Sequence, residues 1–167
     1  MKLNKENPIL ETLNVKNCGS LVGELDLSKS DNLRELEAEG TNYTNIVLPS
    51  SSQITTLHLP STITSLTLRS ARLLNDLSIK NKETQQQDYS NIREILIDNS
   101  DYSNNINWLS ITSGILSNLN HLYLLNLNNS SIVNISELEA FKEKRNSLSN
   151  VDLLQLSGTI HVTGNWS

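Results

Sequence analysis

At 167 residues the chain has the length of one ordinary domain. Aromatic residues make up 4%, against 29 Leu and 23 Asn, so any core must be aliphatic and layered. That excludes an aromatic-filled sandwich, a ring-stacking nucleic-acid binder and a ring-lined haem or flavin pocket. The net charge of −5 removes counterion release as a driving force, and with it nucleic acid and anionic membrane surfaces as partners. A single cysteine, Cys18, excludes an intrachain disulfide, and no stretch approaches the roughly 18 apolar residues of a membrane span.

In chain order, one unit recurs: aliphatic, two variable positions, aliphatic, one variable, aliphatic. It appears as Leu10-Leu13-Val15, Leu33-Leu36-Ala38, Ile54-Leu57-Leu59 and Leu74-Leu77-Ile79. It returns as Ile92-Ile95-Ile97, Leu122-Leu125-Leu127 and Val151-Leu154-Leu156. From first aliphatic to first aliphatic the spacings are 23, 21, 20, 18, 30 and 29. A weaker series lies between the early copies: Val22-Leu25-Leu27, Ile46-Leu48 and Ile63-Leu66-Leu68. Repeats of this period predict a solenoid in which each copy is a short strand stacked on the next. Three residues past the third aliphatic stands a small polar residue that can bond the backbone in a bend. Cys18, Thr41, Thr62, Ser100, Ser130 and Thr159 occupy that place, and Lys82 breaks the series.

The pattern resembles leucine-rich-repeat proteins over nearly the whole chain, through L-x-x-L-x-L-x-x-N/C. Segment ITTLHLPSTITSLTLRSARLLNDLSI, with Leu59-Pro60 and Leu48-Pro49, is similar to the short bacterial variety called BspA-like, although its Ala-Phe motif is missing. The resemblance implies an α/β solenoid, a right-handed superhelix with a parallel β-sheet on its concave face. Short strands line the back of the N-terminal part and helices the back of the C-terminal part. On this reading residues 1–167 form a single leucine-rich-repeat domain of about seven coils. Segment KNKETQQQDYSN is polar throughout and predicts a loop. Trp108, Ile111, Ile115, Leu119 and Leu122 recur at helical spacing, and Ser136 with Glu139 forms a capping box for a helix ending near Arg145. The closing Ile160–Val162 stretch reads as an uncovered strand edge, which predicts either a longer polypeptide or a second chain capping this end.

Signs of catalysis are sparse. His58, His121 and His161 fall on different coils without metal-ligand spacing. No phosphate loop, G-x-S-x-G or dinucleotide fingerprint occurs, so neither catalytic residues, metal nor cofactor is expected. The sequons at Asn42, Asn128, Asn129, Asn134 and Asn165 are what an Asn-, Ser- and Thr-rich chain contains by chance. What remains is the sheet face formed by the variable positions of the motif. Its candidate partner-binding residues are Glu35, Glu37, Glu39, His58, Leu96, Asp98, Leu124, Asn126 and Leu153. Three carboxylates on one strand suggest a basic partner or a cation. Leu96, Leu124 and Leu153 would form an apolar patch on neighbouring strands.

The expected function is a non-enzymatic module for structural display or for recognising a protein or glycan through the concave face. The repeats also look similar to virion and tail proteins of phages of gut bacteria, which implies a place in the phage particle. The alternatives are a bacterial surface adhesin and an intracellular adaptor that selects a protein client.

Overall fold

A computed structural model describes residues 8–50, 53–69, 71 and 73–98, and the backbone of 121–134 and 155–163; at 97 and 98 too, only the backbone is described. Four short strands in alternate positions build one wall: β1 (Thr12–Asn14), β3 (Glu35–Glu37), β5 (Thr56–Pro60) and β7 (Asp76–Lys80). They form a parallel sheet in the order β1-β3-β5-β7, here called the front sheet. Between them the chain crosses to an opposite wall through β2 (Val22–Asp26), β4 (Asn42–Val47) and β6 (Ser65–Arg69). Strand β2 pairs with β4 in parallel, and Thr64 N donates to Thr44 O to bring β6 alongside β4. The result is a parallel β-solenoid of about three turns, with two strands per coil and no helix among the described residues.

The walls are cemented by the motif. Strands alternate their side chains between two faces, so the central and third aliphatics of each copy share the inner one. Leu36 and Leu57 are in register and fully buried, as are the third-position residues Ala38, Leu59 and Ile79. The first aliphatics, Leu33, Ile54 and Leu74, are buried at the corners before the strands. The weaker series fills the core from the opposite wall with Leu25, Leu27, Ile63, Leu66 and Leu68. Each such side chain contributes about 1.5–3 kcal/mol by leaving water. At the corners Thr41 is buried and its Oγ donates to Ala38 O at 2.8 Å, the bend role expected of that position. Thr62 Oγ likewise donates to Tyr43 O, whereas Cys18 is exposed.

The fifth copy departs from expectation. Strand β8 (Glu94–Asp98) does not extend the front sheet; it pairs in parallel with β6, as Leu66↔Ile95 and Leu68↔Ile97. Strands β9 (His121–Asn134) and β10 (Gln155–Thr163) continue that back sheet in the order β6-β8-β9-β10. The front sheet therefore has four strands among the described residues, not seven. The cause is legible in the steps between central aliphatics. Leu13, Leu25, Leu36, Ile46, Leu57, Leu66 and Leu77 follow one another at 9 to 12 residues, one wall at a time. From Leu77 to Ile95 the step is 18, which imitates a full coil. It is a half-coil lengthened by the polar segment after β7, an excursion closed by an antiparallel bridge between Lys80 and Gln87. The irregularity expected at Lys82 thus exists, and a return strand follows it.

Two further expectations are corrected. Ser130 and Thr159, which the motif places at bends, lie inside β9 and β10. Leu122, not Leu125, stands opposite Ile95. That shift of three is odd, and an odd shift exchanges the two faces of a strand. The stretches assigned to helices, 108–120 and 136–146, lie outside the described residues, as does Ser100; Leu122 itself is in β9.

Candidate functional site

The outer face of the front sheet carries three cross-strand rows. Thr12, Glu35, Thr56 and Asp76 form the first, and Asn14, Glu37, His58 and Ser78 the second. Beyond Glu37 the alternation continues to Glu39, and Pro60 is in register with Lys80. These are the variable positions of the motif. Of the expected residues, Glu35, Glu37, Glu39 and His58 come together here.

His58 is the centre of the second row. Its Nδ1 lies 2.9 Å from Glu37 Oε1, and its Nε2 lies 3.0 Å from Asp76 Oδ2. One imidazole thereby joins β3, β5 and β7. Burial alone would push its pKa down, but the hydrogen bonds to Glu37 and Asp76 and their two charges outweigh it and hold it above the ordinary value. Both ring nitrogens are engaged by carboxylates. Among the described residues no group of three His, Cys, Asp or Glu side chains is arranged to hold a metal ion.

The third row is neutralised from within. Glu39 is buried, receives the Ser78 hydroxyl at 2.5 Å, and faces Lys16 Nζ at 3.2 Å and Lys80 Nζ at 3.7 Å. Burial raises its pKa, yet the Ser78 and Lys16 hydrogen bonds and the two ammonium charges bring the net shift below the usual value. The three glutamates therefore do not act as one acidic stripe. Glu39 is a cross-coil clamp and Glu37 is tied to His58, which leaves Glu35, and the half-exposed Asp76 at the other end of the His58 bridge, presenting charge to solvent.

The remaining expected residues are not on this face. Leu96 is half-buried on β8 and paired with Thr67 of the back sheet; Asp98 ends the same strand opposite Arg69. Leu124 stands opposite Ile97, while Tyr123 stands opposite Leu96, so Leu96 and Leu124 occupy alternate faces and form no common patch. Asn126 belongs to β9 in the back sheet, and Leu153 lies outside the described residues. Missed by the sequence reading was the coupling of Glu37 to His58 and of Glu39 to Ser78. Its signal was the coil period itself, since Glu37 and His58 are 21 residues apart and hence neighbours on adjacent strands.

A second feature lies at one end of the front strands. A polar cavity of about 200 Å³ opens where the chain leaves β5 and β7, lined by Ser61, Thr62, Lys80, Lys82, Glu83 and Asn91 among others. Comparison with family models, with curated proteins and with solved structures found no match to this chain.

Proposed function

We propose that the chain is a non-enzymatic leucine-rich-repeat module of the short bacterial kind, which recognises a protein or glycan partner through its front sheet. The observation that supports this most is the division of labour in β3, β5 and β7. Their inward residues are all aliphatic, whereas their outward residues change from strand to strand, are mostly polar, and include Glu37, His58, Asp76, Glu39 and Ser78 held by one another. A face whose side chains are already held by neighbours loses less rotamer freedom on binding than a loose one. The exposed carboxylates of Glu35 and of Asp76, the latter also bonded to His58, suit a partner with basic or hydrogen-bond-donating groups. Display on a phage particle is the setting we favour for such a module.

The test is capture from arrays of glycans and basic peptides by the intact chain. A double charge reversal, Glu35→Lys with Asp76→Lys, is expected to abolish capture while the far-ultraviolet circular dichroism stays unchanged. Capture that survives in the reversed protein removes the front sheet from the reading.

A further inference from the structure

The cavity beside β5 and β7 has a composition of its own. Its floor is the corner Pro60-Ser61-Thr62, pinned when Asn91 Nδ2 donates to Ser61 O at 2.9 Å. Its wall is the excursion after β7, which is braced at several points. Lys80 and Gln87 form the closing bridge, Asn81 Nδ2 donates to Asp88, and Asn81 Oδ1 accepts the backbone N–H of both Glu83 and Thr84. A braced wall over a pinned floor is a preformed site rather than a gap between loose loops.

Several of the polar groups around it remain uncommitted. Ser61 is more than nine-tenths buried, and its Oγ has no hydrogen-bond partner among the described residues. A buried hydroxyl without a partner costs free energy unless something else supplies one. Lys82 and Glu83 are exposed at the rim, and neither forms an ion pair among the described residues. Lys80 pairs with Glu39 at 3.7 Å, a longer contact than the 3.2 Å from Lys16 to the other oxygen of that carboxylate, and its ammonium also lines the cavity. The open donors are thus the Lys82 ammonium and the Ser61 hydroxyl, with Lys80 shared with Glu39 beside them, and the open acceptor is the Glu83 carboxylate. A bare inorganic anion satisfies the donors but is repelled by Glu83. A neutral sugar leaves the Lys82 ammonium unpaired. A small molecule with one acid group and several hydroxyls meets both demands at once.

From this geometry we infer that the cavity is a binding site for a single hydroxylated carboxylic acid of the size of one sugar ring, a hexuronic acid being the fitting class. Its carboxylate pairs with Lys82 and shares Lys80 with Glu39, one hydroxyl accepts from Ser61, and another donates to Glu83. The inference deepens the glycan side of the proposed function and rests on it. It places the acidic sugar at the end of the front strands, off the face that Glu35 and Asp76 occupy.

The experiment is a titration of the intact chain with sodium glucuronate, followed by two-dimensional amide NMR. Parallel titrations use glucose and inorganic phosphate. Saturable shifts confined to residues 61, 62, 80–83 and 91 are expected with glucuronate, at an affinity at least about tenfold above the other two ligands. Lys82→Met, at an exposed position that leaves the fold alone, should weaken glucuronate by about tenfold, and Ser61→Ala should weaken it too. Absence of saturable shifts overturns the inference, as does equal binding by wild type and Lys82→Met. Phosphate binding as tight as glucuronate also overturns it, by reducing the cavity to a simple anion site. Glu35→Lys with Asp76→Lys should leave glucuronate binding unchanged. Absence of glucuronate binding with front-face capture behaving as expected therefore condemns the cavity alone, and capture that survives the double reversal condemns the front-face reading alone.

Discussion

Glu37 and His58, 21 residues apart in the chain, touch at 2.9 Å because one coil of the solenoid separates them. The contact is repeated on the other side, where Asp76 engages the second ring nitrogen. Folding therefore raises the proton affinity of His58. A group whose folded pKa is raised contributes stability that is fully present below its unfolded value, 6.5, and is lost as pH rises through the folded value. The urea midpoint should fall as pH increases from about 6.5 into the alkaline range. His58→Gln should flatten that limb, and an unchanged slope in the variant would show that the bridge does not contribute.

At the acid end the sign reverses. The folded pKa of Glu39 lies below 4.5, so its contribution is present above that value and is lost as pH falls through the folded pKa. Glu39→Gln should remove part of the acid limb of the midpoint profile. It should also lower stability at neutral pH, since Lys16 and Lys80 would then face each other without the intervening charge.

Leu57 is the middle rung of the front-sheet ladder, fully buried between Leu36 and Leu77. Leu57→Ala should cost about 2–5 kcal/mol in equilibrium unfolding. Thr56→Ala, one residue away on the outer face, should stay within about 0.5 kcal/mol.

Gly40 has a left-handed backbone, φ +75°, where the corner after β3 passes the preceding coil. A Cβ there would stand 2.4 Å from Asn17 Oδ1 and 3.0 Å from Asn17 Cα. Gly23 has a similar φ of +81° but open space around it. Both alanine substitutions meet the left-handed penalty, of order 1 kcal/mol. Only Gly40→Ala adds a clash with neighbouring backbone, so it should be clearly the more damaging in thermal denaturation.

Excising Asn81–Gln87 shortens the step from Leu77 to Ile95 from 18 to 11, the length of the step from Leu66 to Leu77. The shortened chain should fold with β8 still beside β6, because loop length weighs little on closure, about 0.6 kcal/mol per doubling. Amide exchange protection at Ile95 reads this out. Loss of protection there would mean that the excursion is needed to bring β8 into place.

The inward face of every coil through Ile79 was legible in the sequence, since aliphatics at fixed spacing have no other way to leave water together. The outward rows of the first four front strands were legible for the same reason, and with them Glu35, Glu37, Glu39 and His58. Which wall a strand joins was not. Ile92-Ile95-Ile97 satisfies the same pattern on either wall, so the motif alone points Leu96 and Asp98 to the front wall while their strand joins the back. At Leu122 two adjacent aliphatics, Leu124 and Leu125, allow two registers three residues apart, and the motif favours the one that the strand does not adopt. The cavity stayed hidden because Ser61, Lys82 and Asn91 are brought together by a corner and an excursion, neither of which has a period.

The half-coil gives this chain something like a reading frame. Insertion of a whole coil, about 20 residues here, leaves every later strand on its own wall. Gain or loss of half a coil sends every later strand to the opposite wall, converting front-sheet face into back wall without changing a single inward residue. Variation in the number of coils is therefore free only in full turns, whereas the excursion after β7 shows where length can be added without shifting the frame.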